Sequence, residues 1–292
     1  MIQCGRPISR EEMEEICDTV EACRGLSRKE LALTICEHLS WYSASGSAKV
    51  DACLKLLKKL EAQGGLELPA KRVSLPRQWE EPRRSRRSDP QPPIEGDVGR
   101  IGGVRLELVR DRRTVRLWNE FVSRYHYLGY KAPFGCYLRY FVESEAGKLG
   151  CLLFSGAAKA LRERDRWIGW SATERLNRLG WVVSNTRFVI FPWVRVRNLA
   201  SHVLGQAARR IGEDWQDRWS YRPVLLETFV DPRFYDGTCY RAANWRYVGM
   251  TTGEGLVRKG KCYTTSPKKI FVLPLCEDFR GVLCSLPEGA GS

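Results

Sequence analysis

Arg187-Phe-Val-Ile-Phe-Pro192-Trp-Val-Arg195-Val-Arg197-Asn198-Leu-Ala200-Ser-His202-Val-Leu204 reads as a strand, a sharp stop and the opening turns of a helix. The β-branched and aromatic run up to Phe191 suits a strand, and Pro192 breaks it because the ring removes a ladder donor. A basic loop follows, with Arg195 and Arg197, and Asn198 and Ala200 then lead into an amphipathic helix running to about Trp215. The first amides of a helix have no carbonyl partner and carry the positive end of its dipole. With two guanidiniums beside them they suit a phosphate or pyrophosphate.

Outward from this segment, strands and helices alternate from residue 99 onward. Val104–Val109 alternates apolar and polar residues, and Val115, Leu117, Trp118, Phe121 and Val122 recur at helical spacing over 112–124. Cys136–Val142 and Leu149–Phe154 flank Ser-Glu-Ala-Gly-Lys as a hairpin. A helical stretch over 162–170, a strand at Val224–Val230, a short helix near Tyr240–Trp245 and a strand at Lys269–Pro274 follow. The expectation for 99–292 is an α/β domain with a mixed sheet.

Residues 1–72 are predicted to be all-α. Ser9-Arg-Glu-Glu12 is a capping box, and Met13, Ile16, Val20 and Cys23 follow at helical spacing. A second helix opens at Ser27, a third runs over about 47–63 to Gly64-Gly65, and Leu66–Pro69 is a short extended piece. That order is the layout of a winged-helix unit, whose third helix enters the major groove. Lys49, Lys55, Lys58 and Lys59 lie on this candidate recognition helix. A three-helix bundle that binds protein has the same periodicity. Residues 73–98 read as a linker: Pro76, Pro82, Pro90, Pro92 and Pro93 disfavour regular structure, and Arg83, Arg84, Arg86 and Arg87 repel one another and offer phosphate contacts.

The formal net charge is +14, from 48 Lys and Arg against 34 Asp and Glu, an excess that draws polyanions. No apolar run approaches the roughly 18–20 residues of a membrane span. The first twenty residues are acidic where a signal peptide is basic and apolar, so the expected location is the cytoplasm. Eleven cysteines, no Cys-x-x-Cys pair and three histidines argue against a zinc site and a disulfide framework.

Two resemblances add to this. Arg195-x-x-Asn198-x-Ala200 after a strand resembles the acyl-CoA loop of GNAT acetyltransferases, with Asn198 at a family glycine. Asn tolerates the left-handed backbone better than most residues. Ala242-Ala-Asn-Trp245-Arg-Tyr-Val-Gly249-Met250 is similar to the closing stretch of that family. Trp245 stands at the catalytic tyrosine, and an indole cannot protonate a leaving thiolate, so the resemblance implies the fold more than the activity. A second resemblance spans nearly the whole chain. His126-Tyr-Leu-Gly129, Arg164-Asp165-Arg-Trp167-Ile-Gly-Trp170, Asn185-Thr-Arg-Phe188, Leu226-Glu-Thr-Phe-Val-Asp231 and Gly237-Thr-Cys-Tyr240 through Trp245 resemble the family of component A of the Druantia anti-phage defence system. Similar segments in that family are attached to transposases. The resemblance implies a defence or mobile-element setting, nucleic acid as partner and other defence proteins as companions.

Candidate chemistry follows from residue types. Glu227 and Asp231, four apart on a strand, share a face and with Asp165 and Asp236 would hold Mg²⁺ or act as base; alternatively they pair with Arg233 or Arg187. His126 is a candidate general base or base-stacking site, and Tyr240, beside Cys239, a candidate acid or nucleophile. Trp167, Trp170, Trp193 and Trp245, beside Arg164, Arg166 and Arg195, would stack exposed bases, or else pack in the core. Three functions stay open: a DNA- or RNA-binding defence component, an acyl-CoA- or nucleotide-using transferase, and a Mg²⁺-dependent nuclease or transposase-related factor. Homo-oligomerisation stays open with them.

Overall fold

The computed structural model describes residues 2–4, 6–70, 81–133, 135–253 and 265–285. They fall into two compact units, Met1–Gln78 with Ser171–Gly180 and Cys284–Ser292, and Trp79–Trp170 with Trp181–Leu283.

In the first unit a two-residue hairpin, β1 (Ile2–Gln3) with β2 (Arg6–Pro7), precedes α1 (Arg10–Ala22), α2 (Arg28–His38) and α3 (Val50–Ala62). Ser9 and Ser27 cap α1 and α2 as reciprocal boxes with Glu12 and Glu30. Ile16, Leu31, Ile35, Cys36, Cys53, Leu56 and Leu57 close the core between the helices. The expected strand after α3 is corrected: among the described residues Leu66–Pro69 joins no ladder. Side chains take its backbone groups instead. Leu68 donates its amide to Glu61 (3.3 Å), and Arg28 donates to the Pro69 carbonyl (2.6 Å), while the Leu68 side chain is buried.

The second unit is a mixed α/β layer. Its strands are β3 (Ile94–Asp97), β4 (Arg105–Leu108), β5 (Tyr137–Ser144), β6 (Gly147–Gly156), β7 (Val182–Ile190), β8 (Val194–Arg197), β9 (Leu225–Val230), β10 (Arg246–Met250) and β11 (Lys269–Pro274). Its helices are α4 (Arg112–Tyr125), α5 (Arg162–Ile168), α7 (Leu199–Trp219), α8 (Thr238–Ala242) and α9 (Phe279–Leu283); α6 (Ala172–Arg178) belongs to the first unit. Seven strands form one sheet in the order β10-β11-β9-β7-β6-β5-β4. Every pairing in it is antiparallel except β7 with β9. A parallel neighbour requires a crossover, and α7 supplies it. Its buried face, Leu199, Val203, Leu204, Ala207, Ile211 and Trp215, joins the sheet core.

The basic, proline-rich segment corrects a second expectation. From Ser85 onward it is docked on its own unit rather than free. Ser85 donates its amide and hydroxyl to Glu120 (3.1 and 2.7 Å), and Arg124 reaches Ser88 and Asp89 (2.8 Å each). β3 then pairs in parallel with β8. Pro90, Pro92 and Pro93 fall between these two anchors, where no ladder donor is needed. Residues 73–80, with Pro76, lie outside the described residues. All ten described cysteines are free thiols, and no described helix is long and apolar enough to cross a membrane.

Candidate functional site: a fork between two parallel strands

β7 and β9 pair from Val182↔Leu225 to Asn185↔Thr228 and part there, although β7 continues to Ile190 and β9 to Val230. Side chains occupy the backbone groups at the parting point. Asn185 donates its amide to the carbonyls of Leu153 (3.1 Å) and Arg187 (3.2 Å), and Thr228 donates to the Asn185 carbonyl (3.0 Å). The Tyr240 hydroxyl, on α8, donates to Asn185 Oδ1 (2.8 Å). Asn185 and Thr228 are buried, so these bonds replace ladder bonds that would otherwise be lost at a cost. Beyond the fork opens a cavity of about 400 Å³, whose lining includes His126, Thr186, Phe188, Ala200, Asp231 and Tyr240.

Three predicted acid–base residues, Tyr240, His126 and Asp231, reach this cavity. Tyr240 is a proton-bearing group, because burial pushes its phenol far above the usual range. His126 follows α4 and its Nδ1 accepts the Leu128 amide (3.1 Å), which puts the proton of the neutral ring on Nε2. Burial, aided by Arg187 and Lys268, lowers its pKa to about 3. His126 is thus a neutral donor in the fork, and the general-base expectation is corrected because its lone pair is already engaged.

The carboxylates do not converge. Glu227 is fully buried, accepting the Ala158 amide (2.8 Å) and Arg164 (2.7 Å). Arg164, equally buried, also donates to the Ala158 carbonyl and to Asp165, which in turn accepts the Trp170 indole (3.0 Å). Asp231 accepts Arg233 in a fork (3.0 and 2.8 Å) and the Ser266 hydroxyl (2.7 Å), and the Arg233 guanidinium holds its carboxyl well below the usual range. Asp236 is exposed and meets Lys269 (3.1 Å). Among the described residues no three His, Cys, Asp or Glu could hold a metal ion, so the Mg²⁺ cluster of Asp165, Glu227 and Asp231 is corrected. Arg164 neutralises Glu227 and Asp165 together, Arg233 neutralises Asp231, and Lys269 meets Asp236.

The tryptophan channel is corrected as well. Trp170, Trp193 and Trp245 are buried, and Trp193 stacks on Phe191 with its edge against Tyr125 (4.9 Å in both cases). Half-buried Trp167 is covered by Phe279 (5.2 Å) and Arg280 (4.8 Å). Exposed Arg166 meets Glu163 (3.3 Å). Fully buried Arg164 cannot face a phosphate.

Of the predicted cradle, Asn198 and Ala200 stand at the start of α7 as read. Asn198 is left-handed (φ 58°), and Ala200 borders the cavity. The loop itself is strand β8, with exposed Arg195 and Arg197 side chains, Arg195 being 3.7 Å from Glu95. In the first unit Lys55, Lys58 and Lys59 are exposed on α3, whereas Lys49 is its half-buried N-cap, its ammonium pKa lowered by burial. Arg83, Arg84, Arg86 and Arg87 are exposed. Sequence reasoning passed over Asn185, Thr186 and Thr228. It also passed over Phe234 and Tyr235, which the run Asp231-Pro-Arg-Phe-Tyr-Asp236 signals as two adjacent rings in a polar turn.

Several solved structures are similar in outline. An acetyltransferase of Bacillus subtilis solved with CoA shares 9% identity, over 60% of this chain and 100% of its own, at a TM-score of 0.34. The spermidine/spermine N-acetyltransferase SpeG of Vibrio cholerae, solved with manganese ions, shares 10% over 59% and 92%, at 0.37. A polyamine N-acetyltransferase of Drosophila melanogaster shares 11% over 59% and 100%, at 0.37. No curated protein matches the chain. The segments that meet at the fork, Asn185–Phe188, Leu226–Asp231 and Gly237–Trp245, all fall within residues 60–265, and that span matches the family described as Druantia protein DruA; the chain belongs to this anti-phage defence family.

Proposed function

We propose that this protein is a nucleic-acid-binding defence component whose second unit holds a pyrophosphate-bearing ligand of the acyl-CoA or nucleotide type in the fork, for group transfer. The observation that carries the reading is the parting of β7 and β9 and the cavity beyond it, which Ala200 in the first turn of α7 borders. The residues present fit such a ligand. Asn198 supplies the left-handed turn usually left to glycine, and the first amides of α7 have no helical carbonyl to bond. Ala200 adds no bulk beyond its methyl where the cavity begins, and the exposed guanidiniums of Arg195 and Arg197 precede the helix. A bound acyl-CoA would supply an activated thioester. Within the chain, the Tyr240 hydroxyl stands at the fork with its proton held to Asn185 Oδ1, and a role as acid requires a bound ligand to displace that bond; Trp245 offers only an indole.

The test is calorimetric titration of the full chain with CoA, acetyl-CoA and ADP, beside thermal melts. Saturating ligand at about 100 times its Kd is expected to stabilise the fold by about 2.7 kcal/mol. Ala200→Trp, which fills the mouth, is expected to abolish both signals. Wild-type protein that neither binds nor shifts with any of the three would overturn the ligand reading.

A second reading concerns the first unit. Exposed Lys55, Lys58 and Lys59 on α3 support a grip of this helix on duplex phosphates. This grip and the fork are independent of one another.

A further inference from the structure

The mouth of the fork carries an exposed aromatic cluster that neither the fold nor the ligand reading uses. Tyr127, Phe234 and Tyr235 are 41%, 56% and 57% exposed. Their ring centroids lie 5.2 Å (Tyr127–Phe234), 5.9 Å (Tyr127–Tyr235) and 6.4 Å (Phe234–Tyr235) apart. Three large rings exposed together are unusual on a surface that has no partner, because each forgoes substantial burial. The cluster is also held firmly. Phe234 and Tyr235 both donate their amides to the Asp231 carbonyl (3.1 and 3.0 Å), while the Asp231 carboxylate is clamped by Arg233 and Ser266. Tyr127 stacks on His126 (5.0 Å), whose ring is tied to the Leu128 amide. The rings are thus pre-oriented, which lowers the entropy cost of capturing a ligand.

We propose that Tyr127, Phe234 and Tyr235 form a stacking platform for an unpaired nucleobase of single-stranded nucleic acid, presenting its edge to the fork. This deepens the nucleic-acid half of the reading above and rests on it. The surroundings select the occupant. Among the described residues, Arg233 lies over Phe234 (5.4 Å) and pairs with Asp231, Arg187 and Lys268 act on the His126 ring, and Lys269 meets Asp236. That balance favours an anionic backbone, in keeping with the +14 charge of the chain. Behind the rings the cavity is lined by Thr186, His126, Asp231 and Tyr240, polar residues held in place by Ser155, the Leu128 amide, Arg233 with Ser266, and Asn185. Polar walls of this kind suit the heteroatom-bearing edge of a base better than an aliphatic side chain or a lipid tail. Aromatic stacking is tolerant of base identity, so this platform would not by itself read a sequence.

The test uses the full chain and a short oligothymidylate carrying one central 2-aminopurine. Binding is expected to quench the 2-aminopurine fluorescence. Phe234→Ala combined with Tyr235→Ala is expected to remove the quench and weaken binding about tenfold, the size of one lost base stack. Phe234→Tyr with Tyr235→Phe keeps both rings and is expected to restore wild-type behaviour, which separates stacking from a folding defect. An oligonucleotide abasic at the same position is expected to bind wild type and the double-alanine variant alike. Unchanged fluorescence on binding, or an equal loss of affinity for the abasic strand, would overturn the platform. Absence of binding by every oligonucleotide at low salt would instead remove the nucleic-acid reading itself.

Discussion

At the scale of single residues, partners rather than residue types decide the role. Arg164 and Glu227 are 63 positions apart in the chain, yet they share a bond of 2.7 Å with both side chains fully buried. Removing one partner strands the other charge away from water, so Glu227→Ala is expected to cost about 3–5 kcal/mol in urea unfolding. A catalytic Glu227 would instead lose activity with its stability intact, and a cost below about 1 kcal/mol would return it to the list of candidate catalysts. His126 gives a pH signature. Its pKa falls from an ordinary value near 6.5 to about 3, so between those values the unfolded chain binds the proton that the folded chain refuses. Its contribution is complete above about pH 6.5 and is lost as pH falls toward 3. His126→Gln lacks this step, so the stability gap between wild type and variant should narrow from pH 7.5 to pH 4.5. A constant gap would mean the ring is not desolvated. In sequence, Asp165 and Glu227 read as candidate catalytic acids and Arg164 as a nucleic-acid contact, because a string of letters displays ionisable groups without their counter-ions.

At the scale of elements, the fork depends on a turn that tolerates no side chain. Gly237 precedes α8 with φ +79°, and a Cβ there would lie 2.6 Å from the Phe271 ring. Gly237→Ala is therefore expected to destabilise by about 1–3 kcal/mol, through backbone strain and crowding of a buried ring. Because Tyr240 is three residues on, the same change should loosen its bond to Asn185 and weaken ligand binding at the fork. Tyr240→Phe, which removes the hydroxyl that bonds Asn185 (2.8 Å) and accepts from Thr228 (3.4 Å), should cost about 1 kcal/mol. If Gly237→Ala were no worse than Tyr240→Phe, the turn would not be what sets α8. The elements that build the fork were legible in sequence: the apolar run before Pro192, the periodic helix after Asn198 and the Leu-rich strand before Asp231 each carry their own period. The short strands β3, β8 and β10 were not. Ile94 pairs with Val194 about a hundred residues away, and a four-residue strand is too short to show alternation without its partner.

At the scale of the whole molecule, the question is where the +14 charge acts. Periodicity gave the helical N-terminal part and the α/β remainder, but it said nothing of Ser171–Gly180 or Cys284–Ser292, which belong with the N-terminal unit. Such an assignment depends on contacts between distant stretches, for which a single sequence carries no period. Charge, by contrast, can be apportioned by salt dependence. Each phosphate contact steepens the fall of log K with log salt by about 0.9 for duplex DNA and about 0.7 for a single strand. Changing Lys55, Lys58 and Lys59 together to Gln is expected to lower the duplex slope by up to about 3 while leaving single-strand binding near wild type. Changing Arg83, Arg84, Arg86 and Arg87 to Gln, all exposed beside the docked segment of the second unit, tests the other source. If the lysine set moves only the duplex slope and the arginine set only the single-strand slope, the two units engage different forms of nucleic acid. If neither set moves either slope, the excess charge is a property of the surface as a whole, and the defence role must rest on the fork and its ligand.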